Sequence, residues 1–238
     1  MNGILEEVRK ELSEASDENT KEAGLRFFKE EVRLYGIKSK TVVEIARQNY
    51  ALVKGRSKEE ILALCDALWE SGMMEESFIA CSWSEKLGPR LIREDFATLE
   101  KWVHNYVSNW ASCDTLCNHT IGDFIQKYPE YIEELKRWAR SENRWVKRAA
   151  AVSLIIPARR GKFLDDIFEI ANILLLDGDD MVQKGYGWML KVASQAHQQE
   201  VFDFVMHHKA VMPRTALRYA IEKMPADLRA KAMAKDWQ

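Results

Sequence analysis

The segment Trp145-Val146-Lys147-Arg148-Ala149-Ala150 returns in degenerate form as Met181-Val182-Gln183-Lys184-Gly185-Tyr186, an offset of 36 residues. A period of that size is one two-helix repeat with its connections. A single repeat cannot bury its apolar face alone, so repeats must stack, and equivalent positions fall side by side along one surface. Ala149, Ala150, Gly185 and Gly187 are small enough for neighbouring helices to approach closely. Composition points the same way. Eleven Gly and five Pro in 238 residues leave little for the turns of an all-β chain. Val and Thr are sparse beside Ala, Leu, Glu and Lys, which favours helix. The expected fold is all-α, an α-solenoid of about six HEAT-like helix pairs forming a single domain over residues 1–238.

Apolar periodicity near 3.6 predicts helices almost end to end: 3–15, 20–34, 39–54, 57–71, 74–87, 93–107, 109–127, 129–140, 143–156, 163–176, 179–194, 197–209 and 213–224. Ser57-Lys58-Glu59-Glu60 reads as a capping box. Ser39 reads as the cap of the helix that follows it, with Val42, Val43, Ala46 and Tyr50 facing inward. Gly36, Gly55, Gly88-Pro89, Pro129, Gly161, Gly178 and Pro213 punctuate the series. No apolar run approaches the roughly 20 residues of a membrane span. The N-terminus has no signal-peptide pattern. Four cysteines (Cys65, Cys81, Cys113 and Cys117) read as buried thiols in a reducing compartment, so the expected location is cytoplasmic.

Net charge is −2, yet its distribution is uneven. Residues 136–162 carry nine basic side chains against Glu142 alone, and residues 209–235 carry seven against Glu222 and Asp227. Local patches rather than the total set the attraction for phosphate. The plainer alternative is a solvated helix face.

Trp110 and Asp114 are four apart and share a helix face. Arg148 and Trp188 follow at intervals close to the repeat length. A carboxylate, two indoles and a guanidinium beside basic residues suit a cationic reaction centre on a polyanion. Cleavage of an N-glycosidic bond passes through an oxocarbenium-like sugar. A purine alkylated at N3 or N7 is already cationic and leaves without protonation. One carboxylate, Asp114, then suffices to stabilise the sugar cation and orient water. Trp110 and Trp188 could pack on deoxyribose and offer π faces to positive charge. Arg148 could hold a phosphate, with Arg144, Lys147 and Lys184 as further phosphate contacts. This chemistry requires neither a metal nor an organic cofactor. Taken singly, a Trp–Asp pair four apart is more often a core indole and a solvated acid, and Arg148 an ordinary surface arginine; the case rests on the set.

Asn109-Trp110-Ala111-Ser112-Cys113-Asp114, running on to Ile125, resembles the catalytic helix of the AlkD-type DNA alkylation-repair glycosylases. Residues 143–150 resemble their arginine-bearing helix, and residues 183–190 their second-tryptophan helix. Leu25-Arg26-Phe27-Phe28-Lys29 through Tyr35-Gly36-Ile37 resembles their N-terminal helix and turn. The resemblance implies a C-shaped repeat stack with a concave DNA-binding face. It implies excision of cationic N3- and N7-alkylpurines from duplex DNA without a base-flipping pocket. By the same resemblance Asp114 is the catalytic carboxylate, Trp110 and Trp188 flank the deoxyribose, and Arg148 contacts the backbone. The sequence departs from the pattern at Asn109 and Ala111, where active members often carry an aromatic and an acid. It departs again at Phe27, a DNA-contact position that here lacks a hydroxyl.

The expected partner is duplex DNA containing alkylated purines, bound by a monomer without membrane association. Two other readings stay open: a catalytically silent DNA-structure binder on the same fold, and a helical-repeat protein-interaction scaffold. Cys113, Cys117 and His119 form a C-x₃-C-x-H cluster, but a zinc site would need a fourth ligand, and no metal is expected.

Overall fold

The computed structural model describes residues 2–235, and among them the chain is all-helical, with a lone parallel bridge between Arg33 and Met73 in place of any strand. No described helix is long and apolar enough to cross a membrane. The chain divides into two compact units, Met1–Leu116 and Cys117–Gln238.

The first unit contains α1 (Asn2–Glu14), α2 (Glu18–Phe27), α3 (Ser39–Val53), α4 (Lys58–Glu70), α5 (Met74–Leu87), α6 (Phe96–Asn105) and α7 (Trp110–Leu116). Alternate helices are neighbours: α1 packs on α3, α3 on α5 and α5 on α7, while α4 pairs with α5. This is the neighbour pattern of stacked helix pairs. The fully buried indole of Trp83 fixes α5 to α3 by donating to the Ala46 carbonyl at 2.9 Å. The capping box at the start of α4 forms in both directions, Glu60 N–H to Ser57 Oγ at 3.1 Å and Ser57 N–H to Glu60 Oε2 at 3.0 Å.

Two local expectations fail in α3. Ser39 is its first helical residue and Lys38 the N-cap, without a side-chain cap bond. Val43 is 65% exposed, and the buried face is Val42, Ile45, Ala46, Asn49 and Val53. Both faces offer an apolar residue every turn, so only packing could choose between them.

A larger difference lies after α2. The expected helix 20–34 stops at Phe27, and residues 28–38 run without helix to Ser39. A carboxylate far along the chain supplies the reason. Glu75, 4% exposed, accepts the backbone N–H groups of Tyr35, Gly36 and Ile37 at 3.1, 2.9 and 3.3 Å. Its neighbour Glu76, 1% exposed, takes the Arg9 guanidinium at 3.1 Å and the Tyr35 hydroxyl at 2.8 Å. Burial and that carboxylate push the Tyr35 hydroxyl up to about 12, so it stays a donor across the neutral range. The chain turns back at Gly36, whose φ of 87° and tight seat against Lys21 and the Asp17 carbonyl exclude a side chain. Leu34 returns onto α2 at Gly24, where an added Cβ would stand 2.7 Å from Leu34 Cδ1.

The second unit opens with a π-helical turn, Cys117–Ile121, and continues through α8 (Gly122–Lys127), α9 (Ile132–Trp138), α10 (Arg144–Val152), α11 (Ile155–Arg159), α12 (Leu164–Leu174), α13 (Asp180–Ala193), α14 (Gln198–His208), α15 (Arg214–Ala220) and α16 (Ala226–Met233). One row of neighbours is α10, α13 and α15; across from it α9 packs on α12 and α14 on α16. The expected helix 143–156 breaks after Val152. Pro157 removes the N–H that would have reached Ser153, and the Ser153 carbonyl instead faces Gly122, where a Cβ would stand 3.0 Å away. The last helix, α16, follows Pro225 and lies beyond the expected series.

The anticipated close approach of small residues holds in this unit. A Cβ on Gly187 would lie 2.7 Å from Tyr219 Cβ and 2.8 Å from the Ala216 carbonyl, so α13 and α15 meet through an absent side chain. Gly187→Ala should therefore force the two helices apart and lower stability by about 1–3 kcal/mol, read as a fall in the thermal midpoint. Glu75→Ala should cost more, about 3 kcal/mol or above, because three backbone donors lose a buried acceptor. Limited proteolysis should then cut first within residues 28–38, and an unchanged digestion pattern would contradict the clamp.

Candidate functional site

The first unit ends on α7, and its N-terminus is set by Asn109. That side chain, 5% exposed, accepts the Ser112 N–H at 2.9 Å, the geometry of an N-cap. The residue that departs from the family pattern is thus occupied in starting the helix. Ser112, Cys113 and Leu116 turn inward and are buried. Trp110, Ala111, Asp114 and Thr115 lie on the other side and are partly exposed. The i, i+4 reading of Trp110 and Asp114 therefore holds, and both are reachable from solvent.

Trp110 does not stand alone. Phe28 stacks on its indole, with ring centroids 5.6 Å apart and planes 26° from parallel. Phe27 meets the same indole edge-on at 6.0 Å and Phe28 at 5.4 Å. Phe27 is 69% exposed, Phe28 half-buried. Phe27 is brought to Trp110 as part of a three-ring cluster of about the spacing that aromatic pairs prefer. Phe28 is not among the site residues expected from the sequence; its one signal there is the Phe27-Phe28 doublet, and a continuous helix would turn adjacent rings about 100° apart.

The second unit carries the remaining candidates. Asn143 caps α10 by accepting the Trp145 N–H at 2.9 Å, and Asp179 caps α13 by accepting from Met181 and Val182 at 2.8 and 3.2 Å. Lys184 and Trp188 lie four apart on α13 and are partly exposed, while Gly185, Tyr186 and Gly187 between them are buried. Arg148 is placed differently from an ordinary surface arginine. It is 5% exposed, its stem lies against Gly185, and its Nη1 donates to the Met181 carbonyl at 2.6 Å. Gly185 is the residue that makes room for it: a Cβ there would stand 3.3 Å from Arg148 Cγ.

The basic segment 136–162 is far less free than its composition suggests. Lys136 is enclosed by Glu133, Asp166 and Glu169 at 2.8, 2.9 and 2.6 Å, and those partners push its ammonium well above the usual lysine range. Arg137 pairs with Glu134, Arg144 with Asp179 and Lys147 with Asp177. Lys184, outside the segment, pairs with Asp180. Arg140, Arg159, Arg160 and Lys162 are left outside carboxylate pairs and face solvent or neutral acceptors. The acids that pair with the segment's own cations, Glu133 and Glu134 apart, come from 30 or more positions further along the chain, outside the segment whose charge is counted.

Cys113 and Cys117 are fully buried and His119 is exposed, an arrangement unlike a shared ligand set. Among the described residues no group of three or more His, Cys, Asp or Glu gathers that could hold a metal ion.

With this geometry in view, comparison with known proteins is specific. Residues 8–224 match the family described as DNA alkylation repair enzyme. A solved structure, a predicted DNA alkylation repair enzyme from Enterococcus faecalis, is similar to this chain with a TM-score of 0.80 at 16% identity, covering 89% of this chain and 97% of that one. At that identity the likeness speaks for the fold. No curated protein sequence matches.

Removing the cap of α7 is a direct test of how Trp110 and Asp114 are held. Asn109→Ala should cost about 1 kcal/mol of stability, whereas Asn109→Asp or Asn109→Ser should restore most of it, measured by thermal or denaturant unfolding.

Proposed function

The chain belongs to the DNA alkylation repair enzyme family, and we propose that it is a DNA glycosylase that hydrolyses the N-glycosidic bond of cationic N3- and N7-alkylated purines in duplex DNA. The observation that carries this reading is the outward face of α7, where a partly exposed carboxylate, Asp114, sits one turn from a partly exposed indole, Trp110.

The chemistry follows from charge. An alkylated purine leaves as a neutral base, so no acid is needed to protonate it. Positive charge develops on the sugar instead. Asp114 is assigned the stabilisation of that charge and the orientation of the attacking water. Water adds to the sugar carbon as the base departs, and its proton is released to the carboxylate or to solvent. The Trp110 indole, braced by Phe28, presents a π face to the developing cation, with Phe27 at its edge. Phe27 offers apolar contact only, since it lacks the hydroxyl that would bond to phosphate. In the second unit Trp188 is assigned to deoxyribose contact, and Arg144, Lys147, Lys184 and Arg148 to the phosphate backbone. Arg148 is held so deeply that its role is to be approached by a phosphate, not to reach for one. We take the protein to act as a cytoplasmic monomer.

The test is release of 7-methylguanine from methylated duplex DNA by the wild type and by Asp114→Asn. The substitution keeps shape and deletes charge, and the sugar cation exists only near the transition state. Excision should fall by roughly two orders of magnitude or more, with duplex affinity nearly unchanged. 3-Methyladenine should be released, and uracil and 1,N6-ethenoadenine should not, because a neutral base would depart as an unstabilised anion. Excision should survive a chelator. A wild type that binds duplex DNA yet releases no alkylated base would make it a silent DNA-structure binder, with Asn109, Ala111 and Phe27 as the first residues to exchange.

A further inference from the structure

Three of the cations assigned to phosphate are matched one to one by the acids of a single short stretch, the loop that leads into α13 and the first residue of that helix. Lys147 Nζ lies 2.5 Å from Asp177 Oδ2, Arg144 Nε 3.0 Å from Asp179 Oδ2, and Lys184 Nζ 2.6 Å from Asp180 Oδ2. The loop is fixed by its own bonds and does not hang as a solvated tail. Asp177 Oδ1 accepts the Asp179 N–H at 2.8 Å, the Asp177 carbonyl accepts Gln183 Nε2 at 2.8 Å, and Asp179 Oδ1 caps α13. The Arg144 guanidinium is also held over the Trp145 ring, 4.8 Å from its centroid.

We propose that Asp177, Asp179 and Asp180 set the affinity for undamaged duplex: they are an internal stand-in for phosphate that neutralises Arg144, Lys147 and Lys184 and keeps the protein from being trapped on DNA without a lesion. The proposal rests on the reading of α10 and α13 as a phosphate-facing surface.

The physical argument is counter-ion release. Non-specific affinity for duplex DNA rises steeply with the number of cations free to neutralise phosphates, and each one adds about 0.9 to the slope of log K against log salt. A cation that already holds a carboxylate at ion-pair distance brings less to a phosphate, because the carboxylate must be displaced or shared. The three pairs are graded. Lys147–Asp177 is the most enclosed, at 19% and 13% side-chain exposure, and Lys184–Asp180 the most open, at 33% and 50%. Lys184 is therefore the first to exchange its carboxylate for a phosphate, and Lys147 the last. None of the three acids is assigned a part in bond cleavage, so their effect belongs to binding and release.

The test compares the wild type with Asp180→Asn and with the triple variant Asp177→Asn/Asp179→Asn/Asp180→Asn. Asparagine preserves the cap at Asp179 and the acceptor at Asp177, so the loop keeps its bonds. Affinity for an undamaged duplex is read by fluorescence anisotropy over a salt series. Asp180→Asn should bind roughly five- to tenfold more tightly at 0.1 M salt, with a slope steeper by about 0.9, and the triple variant more tightly and more steeply again. Single-turnover excision of 7-methylguanine at saturating enzyme should stay at the wild-type rate, while turnover in excess undamaged DNA should slow. Unchanged or weaker duplex binding by variants whose wild type binds and excises overturns this proposal alone, and assigns the acids to holding the cations in place. Absence of duplex binding at low salt by all three proteins would overturn it together with the reading of the α10–α13 surface on which it rests.

Discussion

A buried carboxylate with three backbone hydrogen bonds holds the first unit in its form. Without Glu75, the N–H groups of Tyr35, Gly36 and Ile37 would have no acceptor, and an extended segment could not be covered by α5. With it, the chain leaves α2 at Phe27, turns at Gly36 and returns to α2 through Leu34. Ending the helix there is what leaves Phe27 and Phe28 at a terminus, free to meet Trp110 from two directions. A helix continued to residue 34 would have carried adjacent rings about 100° apart around its axis. The aromatic cluster is therefore a consequence of a hydrogen-bonding requirement some forty residues away.

In the second unit the organising constraint is steric. Gly185 and Gly187 lie two apart on α13, so they point to different neighbours, one to Arg148 on α10 and one to Ala216 and Tyr219 on α15. The same short stretch thus fixes α13 on both sides and leaves Lys184 and Trp188 on the partly exposed face between them. The buried Arg148 is accommodated because its guanidinium finds a carbonyl, at Met181, instead of an apolar wall.

Charge behaves less simply than counting implies. A segment with nine bases and one acid reads as a polycation. In the fold Lys136 is enclosed by three carboxylates, and Arg144 and Lys147 each hold one. A count of bases therefore overstates how much positive charge the segment leaves unpaired.

Much of this was legible in the amino-acid sequence, and the legible part is local. Helix content, the Ser57 capping box, the shared face of Trp110 and Asp114, and the small residues at Gly185 and Gly187 depend on spacings of one to four residues, which a helix translates directly into geometry. The family resemblance was legible for the same reason, since its motifs lie within single helices. What the sequence left open depends on partners 30 or more positions away. Tertiary contacts decided that α2 ends at Phe27, that Val43 faces out while Ile45 faces in, that Phe28 braces Trp110, and that Arg148 is buried. They also decided which basic side chains keep their charge available. A residue's spacing tells which neighbours it has along its own helix, but burial and ion pairing are settled by what the chain folds against it.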